Sequence, residues 1–189
     1  MNTSEHIHNC ISTLKNNETI LFPTDTVLGL GCDANSDTAV EKIINLKDRN
    51  DKQGFIVLVS SIEELHKYVK DVPIEAKSLI EETDKPLSII YPKGKNVSKK
   101  VLAENGSIAI RIVKSGFAHE LLSNYQKAII ATSVNLSGEP PAISLGEVPE
   151  SILKAVDYVV NLPLPSDKQL QASTIIKVNS EGKTEIIRE

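Results

Sequence analysis

The stretch "FPTDTVLGLGCDA", Phe22–Ala34, places two threonines, two acids, a proline and two glycines directly behind the short apolar run "TILF". Its last six residues, "GLGCDA", have the G-x-G-x-x-A spacing of a dinucleotide-binding turn, so their reading decides between a doubly wound nucleotide fold and another α/β arrangement. In the dinucleotide fold the glycines follow the first strand directly, and an acid about twenty residues later closes a second strand. Here Pro23 to Leu28 separate the apolar run from Gly29, and Asp48 and Asp51 follow a helical pattern. The dinucleotide reading fails on its context. Two readings remain, a turn between two elements or a pocket lip whose hydroxyls hold a small polar molecule.

Upstream, Ile7, Cys10, Ile11 and Leu14 recur at helical spacing and predict a first helix ending near Asn16 and Asn17, with "TILF" as a buried strand. Downstream, "SDTAVEKIINLKDR" carries the apolar stripe Val40, Ile43, Ile44, and Thr38 with Glu41 has capping-box spacing. "FIVLV" reads as a buried strand, Ser61 and Glu64 repeat the capping spacing before a helix through Lys70, and another helix covers Ile74–Glu82. Strands "LSIIY", "SIAIRIV" and "AIIAT" follow, with a helical "GFAHELLSNY" between the last two, and "STIIKVNSEGKTEIIR" reads as a hairpin turning at Asn179 and Gly182. Helical crossovers give parallel pairs and a tight turn gives an antiparallel one, so the pattern predicts an α/β fold with a mixed sheet.

With 189 residues and no linker, repeat or low-complexity tract, a single domain spanning 1–189 is expected. The longest apolar run, "FIVLV", is far short of the roughly 18 residues a membrane helix needs, and the N-terminus lacks the pattern of a secretion signal, so no membrane partner and a cytoplasmic location are expected. Cys10 and Cys32 form no CxxC pair and suit reduced thiols. A net charge of −4, from 21 basic and 25 acidic residues, argues against a broad basic face for duplex nucleic acid and leaves room for a local basic pocket.

Several clusters could carry chemistry. A phosphate loop is excluded, because Gly94 and Lys95 are followed by Asn96 and the first glycine position holds Ile89. In "LKDRNDKQG", Lys47, Arg49 and Lys52 gather at and beyond a helix end, where cations face water for electrostatic reasons or bind phosphate. Lys47 continues the stripe of Val40, Ile43 and Ile44, which turns its stem toward the buried side. Arg111 stands inside the apolar strand "IAIRIV", and both a structural salt bridge and a ligand carboxylate explain a buried arginine. "ATSVNLSGEPP" sets Thr132, Ser133, Asn135 and Ser137 after an apolar run, as a plain turn or as donors at a strand's carboxyl end. Ser173 and Thr174 in "ASTIIKV" carry the same ambiguity. His6, His8, His66 and His119 lack metal-cage spacing and read as surface or partly buried residues.

Taken in order, "FPTDTVLGLGCDA", "LKDR", "SIAIRIV", "ATSVNLSGEPPA", "STIIKV" and the terminal "IIR" resemble the YrdC family of threonylcarbamoyl-AMP synthases from about residue 19 to 188. The resemblance implies a twisted open mixed sheet flanked by helices, with a deep cleft, and, the chain stopping at Glu189, a stand-alone catalytic domain. It implies a nucleotidyltransferase that joins L-threonine, bicarbonate and ATP into threonylcarbamoyl-adenylate with loss of pyrophosphate, normally with Mg2+. The product serves threonylcarbamoyladenosine formation beside the anticodon, with tRNA and tRNA-modification proteins as transient partners.

By family position, Lys47, Arg49 and Arg111 are the catalytic residues. Lys47, Arg49, Lys52, Gln53, Ser107, Ser133, Asn135, Pro141 and Arg188 then bind ATP, and Thr26, Arg111, Ala131 and Ser173 bind threonine. On that reading the opening stretch is a pocket lip, with hydroxyls facing the cleft and glycines admitting the ligand. The chain departs from the usual family pattern at Leu28, Gln53, Leu58 and Val113. A non-catalytic RNA-binding or ribosome-associated module and a carbamoyl-transfer enzyme with another acceptor are the alternative functions.

Overall fold

The computed structural model describes residues 1–47, 54–135, 140–164 and 172–189. Helix α1 (Thr3–Lys15) starts on a capping box: Asn2 accepts from the Glu5 amide and Glu5 accepts from the Asn2 amide. Its stripe of Ile7, Cys10 and Leu14 is buried as the periodicity predicts, and His6 beside it is buried too, with Nδ1 2.7 Å from the Tyr158 hydroxyl. His6 is thus more deeply buried than the surface or partly buried position expected, because a tyrosine hydroxyl on another element satisfies the ring nitrogen.

The opening stretch is more than a lip. Strand β1 (Ile20–Pro23) turns through Thr24–Val27 into β2 (Leu28–Asp33), and the two pair antiparallel from Pro23↔Leu28 to Ile20↔Gly31. Every residue of β2 is buried. Helix α2 (Asp37–Leu46) follows, and here the capping register shifts: Ser36, not Thr38, is the N-cap and accepts from the Ala39 amide. Residues 48 and 49 of the predicted helix lie outside the described residues.

Strand β3 (Ile56–Val59) leads into α3 (Ile62–Tyr68), which is capped by Ser61 as predicted but ends two residues before Lys70. Helix α4 (Ile74–Glu82), strand β4 (Leu87–Tyr91), strand β5 (Ile108–Ile112), helix α5 (Gly116–Tyr125) and strand β6 (Ile129–Ser133) follow at or within a residue of their sequence-predicted bounds. A short helix α6 (Glu150–Ala155) and strand β7 (Tyr158–Val159) come next, neither foreseen, before the hairpin β8 (Thr174–Val178) and β9 (Thr184–Arg188).

Among the described residues these strands form one mixed sheet in the order β7-β1-β2-β6-β3-β5-β4-β8-β9. β1 with β7, β3 with β5, and β4 with β8 run parallel, and the other neighbours run antiparallel. Alternation along each strand sends side chains to two faces. Leu21, Val57, Val59 and Ile130 pack with Val40, Ile43 and Leu65 of α2 and α3 on one face. Ile20, Phe22, Leu58 and Ile129 pack with α1 and α5 on the other, through Cys10, Leu14, Leu121 and Leu122. The sheet is therefore covered by helices on both sides, as the α/β pattern requires.

The face carrying α1 and α5 also holds the row that matters for function. In register across the strands stand Gly31, Ala131, Ile56, Ala109, Ile90 and Lys177. Small side chains at Ala131 and Ala109 leave space above this row, and Arg111 lies two residues along from Ala109 on the same face.

Candidate active site

The turn Thr24–Val27 is organised by one hydroxyl. Thr24 Oγ1 donates to the Val27 carbonyl at 2.7 Å, accepts from the Thr26 and Val27 amides at 3.0 and 3.2 Å, and lies 2.9 Å from Thr26 Oγ1. A threonine side chain can replace backbone partners in a tight turn in this way. Gly29 makes room for it, since a Cβ there would stand 2.9 Å from the Thr24 methyl. Gly31 has a different role from the ligand approach expected of it: a Cβ there would come 2.4 Å from the Ile130 carbonyl, so it permits close pairing of β2 and β6.

Arg111 in β5 is 5% exposed, and its Nη2 lies 3.1 Å from Asp25 Oδ1 while Nη1 reaches Thr26 Oγ1 at 3.4 Å. The pair is close but badly aligned for hydrogen bonding: Asp25 Oδ1 and Arg111 Nε both lack a hydrogen-bond partner. Burial pulls the guanidinium below its ordinary pKa, Asp25 opposes that, and Arg188 adds to it. Of the two readings offered by the sequence, the structural salt bridge is present, to Asp25, while the Nε donor has no partner.

Ser173 is held from two sides. Arg188 at the end of β9 donates Nε and Nη2 to the Ser173 carbonyl at 3.2 and 2.8 Å, and the buried Ser88 hydroxyl lies 2.8 Å from the Ser173 hydroxyl. Ser88 in β4 pairs directly with Arg111 in β5, which brings this serine couple beside the guanidinium.

At the carboxyl end of β6, the Lys47 stem is half-buried as its stripe position implied. Its Nζ donates to the Ser133 carbonyl and to Asn135 Oδ1, each at 3.0 Å, and to the Asn135 carbonyl. Ser133 Oγ donates to Asn135 Oδ1 at 2.8 Å. The result is a fixed cation with a hydroxyl at its side.

Thr24, Thr26, Arg111, Ser133, Ser173 and Arg188 border one cavity of about 700 Å3. Of the residues expected to bind threonine, Thr26, Arg111, Ala131 and Ser173 all line it. Of those expected to bind ATP, Ser107, Ser133, Pro141 and Arg188 line it, whereas Lys47 and Asn135 lie behind the wall, bonded to Ser133, and are not lining residues. Arg49, Lys52 and Gln53 lie outside the described residues. Thr24, Glu104, Asn105 and Lys177 also line the cavity and were not picked out from sequence. For Lys177 a signal existed, because alternation along "STIIKV" separates its face from that of Ile176.

Cationic groups from several distant strands and hydroxyls from the β1–β2 turn thus face one space, an arrangement suited to a ligand with several negative charges. The Sua5/YciO/YrdC family model, described as telomere recombination, matches residues 12–189. The chain belongs to this family. A threonylcarbamoyl-AMP synthase from Pseudoalteromonas translucida (strain TAC 125) is 29% identical over 172 residues, which cover 89% of this chain and 92% of that protein. One from Riesia pediculicola (strain USDA) is 35% identical over 150 residues, covering 77% of this chain and 80% of that protein. Among solved structures, P. abyssi Sua5 complexed with L-threonine superposes with a TM-score of 0.88 at 25% identity, over 100% of this chain and 54% of that one. This Sua5/YciO/YrdC protein therefore spans about half the length of the archaeal structure and nearly the whole of the bacterial relative.

Proposed function

We propose that this protein is a threonylcarbamoyl-AMP synthase, a nucleotidyltransferase that condenses L-threonine, bicarbonate and ATP for the threonylcarbamoyladenosine modification of tRNA. The observation that carries the reading is Arg111: buried in an apolar strand, sharing a cavity wall with Thr26 and Ser173, and with its Nε unpaired. The names of the bacterial relatives and the threonine in the archaeal complex point to the same chemistry.

In this reading the threonine amine adds to the bicarbonate carbon, water leaves, and a carbamate forms. A carbamate oxygen then attacks the α-phosphorus of ATP, the bond to the β-phosphate oxygen breaks, and pyrophosphate departs. Bicarbonate, ATP and the threonine carboxylate all carry negative charge, so the protein contributes mainly positioning and charge neutralisation. Arg111 takes the amino-acid carboxylate beside Thr26 and Ser173. Lys47, with Ser133 and Asn135, is assigned to the triphosphate, and Arg188, bonded to the Ser173 carbonyl on the cavity wall, to the nucleotide as well. By family position, Arg49, Lys52 and Gln53 are assigned to the nucleotide too.

Among the described residues no group of three or more His, Cys, Asp or Glu could cage a metal, and the donors facing the cavity are mostly hydroxyls and cations. Magnesium would therefore enter on the triphosphate, held through phosphate oxygens, with Glu104 the carboxylate on the cavity wall nearest in kind to a protein ligand. Magnesium so held would offset charge on the phosphates.

The test is pyrophosphate release from ATP by the purified protein. Release that requires both threonine and bicarbonate is expected. Salt-dependent tRNA binding without ATP consumption would favour the RNA-binding alternative instead, and an equal rate with another carbamoyl acceptor would favour a different transferase.

A further inference from the structure

We infer that Thr24 is a positioning residue that locks the Thr26 hydroxyl as a hydrogen-bond acceptor, and that this acceptor receives an N–H of the bound amino acid's amine. The inference rests on the synthase reading for the identity of the ligand. The polarity itself follows from counting hydrogens. A carbonyl only accepts, so the single hydroxyl hydrogen of Thr24 is committed to the Val27 carbonyl 2.7 Å away. The contact of 2.9 Å between the two threonine hydroxyls can then be a hydrogen bond only if Thr26 donates, its hydrogen sharing the two Thr24 lone pairs with the Thr26 and Val27 amides at 3.0 and 3.2 Å. The guanidinium of Arg111, 3.4 Å from Thr26 Oγ1, has hydrogens to give and no lone pair to receive one.

Thr26 therefore has its hydrogen directed at Thr24 and presents lone pairs beside Arg111. Both threonines line the cavity and both are buried, at 5% and 4% exposure, so water competes little for these bonds. Arg111 is the donor for a carboxylate, and Thr26 is the acceptor next to it. A carboxylate and an N–H on neighbouring atoms are what an α-amino acid offers. Holding one amine hydrogen at Thr26 leaves the nitrogen lone pair free to turn toward the bicarbonate carbon once the amine is neutral. Gly29 belongs to the device, because a side chain there would push on the Thr24 methyl.

Calorimetric binding of L-threonine in the presence of a non-hydrolysable ATP analogue tests this, with L-2-aminobutanoate and 2-oxobutanoate as competitors. Those two differ at the α-position, one offering N–H donors and the other only lone pairs. Thr24→Val removes the hydroxyl, freeing Thr26 to rotate and donate. It is expected to weaken threonine binding roughly tenfold and to shrink the preference for the amino over the oxo acid, with nucleotide affinity kept. Thr24→Ser keeps the hydroxyl and is expected to retain both threonine affinity and the preference.

Unchanged threonine affinity and preference in Thr24→Val would overturn the inference alone. Loss of both in Thr24→Ser would overturn it too, and that variant decides the matter if Thr24→Val does not fold. A wild-type protein that binds no threonine under these conditions overturns the synthase reading and this inference together.

Discussion

At the residue scale, Arg111 shows what a sequence can disclose about a site. A guanidinium amid Ile108, Ala109, Ile110 and Ile112 demands an anion, and that demand is readable from residue types alone. The identity of the anion is not readable, because it depends on which element folds against β5. The β1–β2 turn supplies Asp25, a residue 86 positions away that no local pattern connects to Arg111. Thr24 was equally hidden, since its role depends on hydrogen-bond directions within a turn. The planar fork of arginine and the point charge of lysine differ in how they meet a carboxylate, so Arg111→Lys is not a mild change. Both Arg111→Lys and Arg111→Ala are expected to raise the KM for threonine by about 10- to 100-fold, the weight of a charge-assisted hydrogen bond. The KM for ATP should move much less, and steady-state kinetics at varied threonine and ATP separate the two effects.

At the element scale, helices and central strands were legible because their periodicity is strong, down to the Ser61 cap of α3. Strand β2 was missed for a physical reason. "LGLGCD" carries two glycines and an acid, residues poor in strand propensity, and it is a strand because its neighbours leave no room for side chains at alternate positions. Such a signal lives in the tertiary structure. The shift of the α2 cap from Thr38 to Ser36 has a similar origin: Ser36 follows directly on the turn that ends β2, where its amide bonds the Asp33 carbonyl. Gly31→Ala tests the account of β2. The added methyl meets a backbone carbonyl in the centre of the sheet, which cannot step aside as a side-chain tip could. A loss of about 1–3 kcal/mol is expected from overpacking, which thermal denaturation would record as a Tm lowered by roughly 2–12 °C for a chain of this size. An unchanged Tm would mean that β2 and β6 are not paired this closely.

At the scale of the whole molecule, the α/β class and the mixed sheet were foreseeable from alternating elements, whereas the strand order was not. Neighbours such as β2 with β6 and β4 with β8 join segments far apart in the chain, and only packing chooses among such pairings. The short β7 at one sheet edge is tied to β1 by Asp157, whose carboxylate accepts from the Thr19 amide and hydroxyl, both at 2.8 Å. Burial raises the Asp157 pKa, but the Thr19 bonds and Lys42 outweigh it and leave a net shift below the ordinary aspartate value. A pKa depressed by folding contributes stability above the unfolded value, and that stability disappears as pH falls through the folded one. Asp157→Asn should accordingly lower Tm at neutral pH, with the gap to wild type closing below about pH 4. A gap that stays constant with pH would show that the carboxylate charge contributes nothing there.

The central claim is that one cavity holds the amino acid at Arg111 and the nucleotide at Lys47. A crystal structure of the protein with L-threonine and a non-hydrolysable ATP analogue tests it most directly. The account expects the threonine carboxylate within hydrogen-bond distance of Arg111 and the triphosphate beside Lys47 and Ser133, with its α-phosphate facing the threonine amine. Ligands bound on separate surfaces, or a carboxylate with no contact to Arg111, would contradict it.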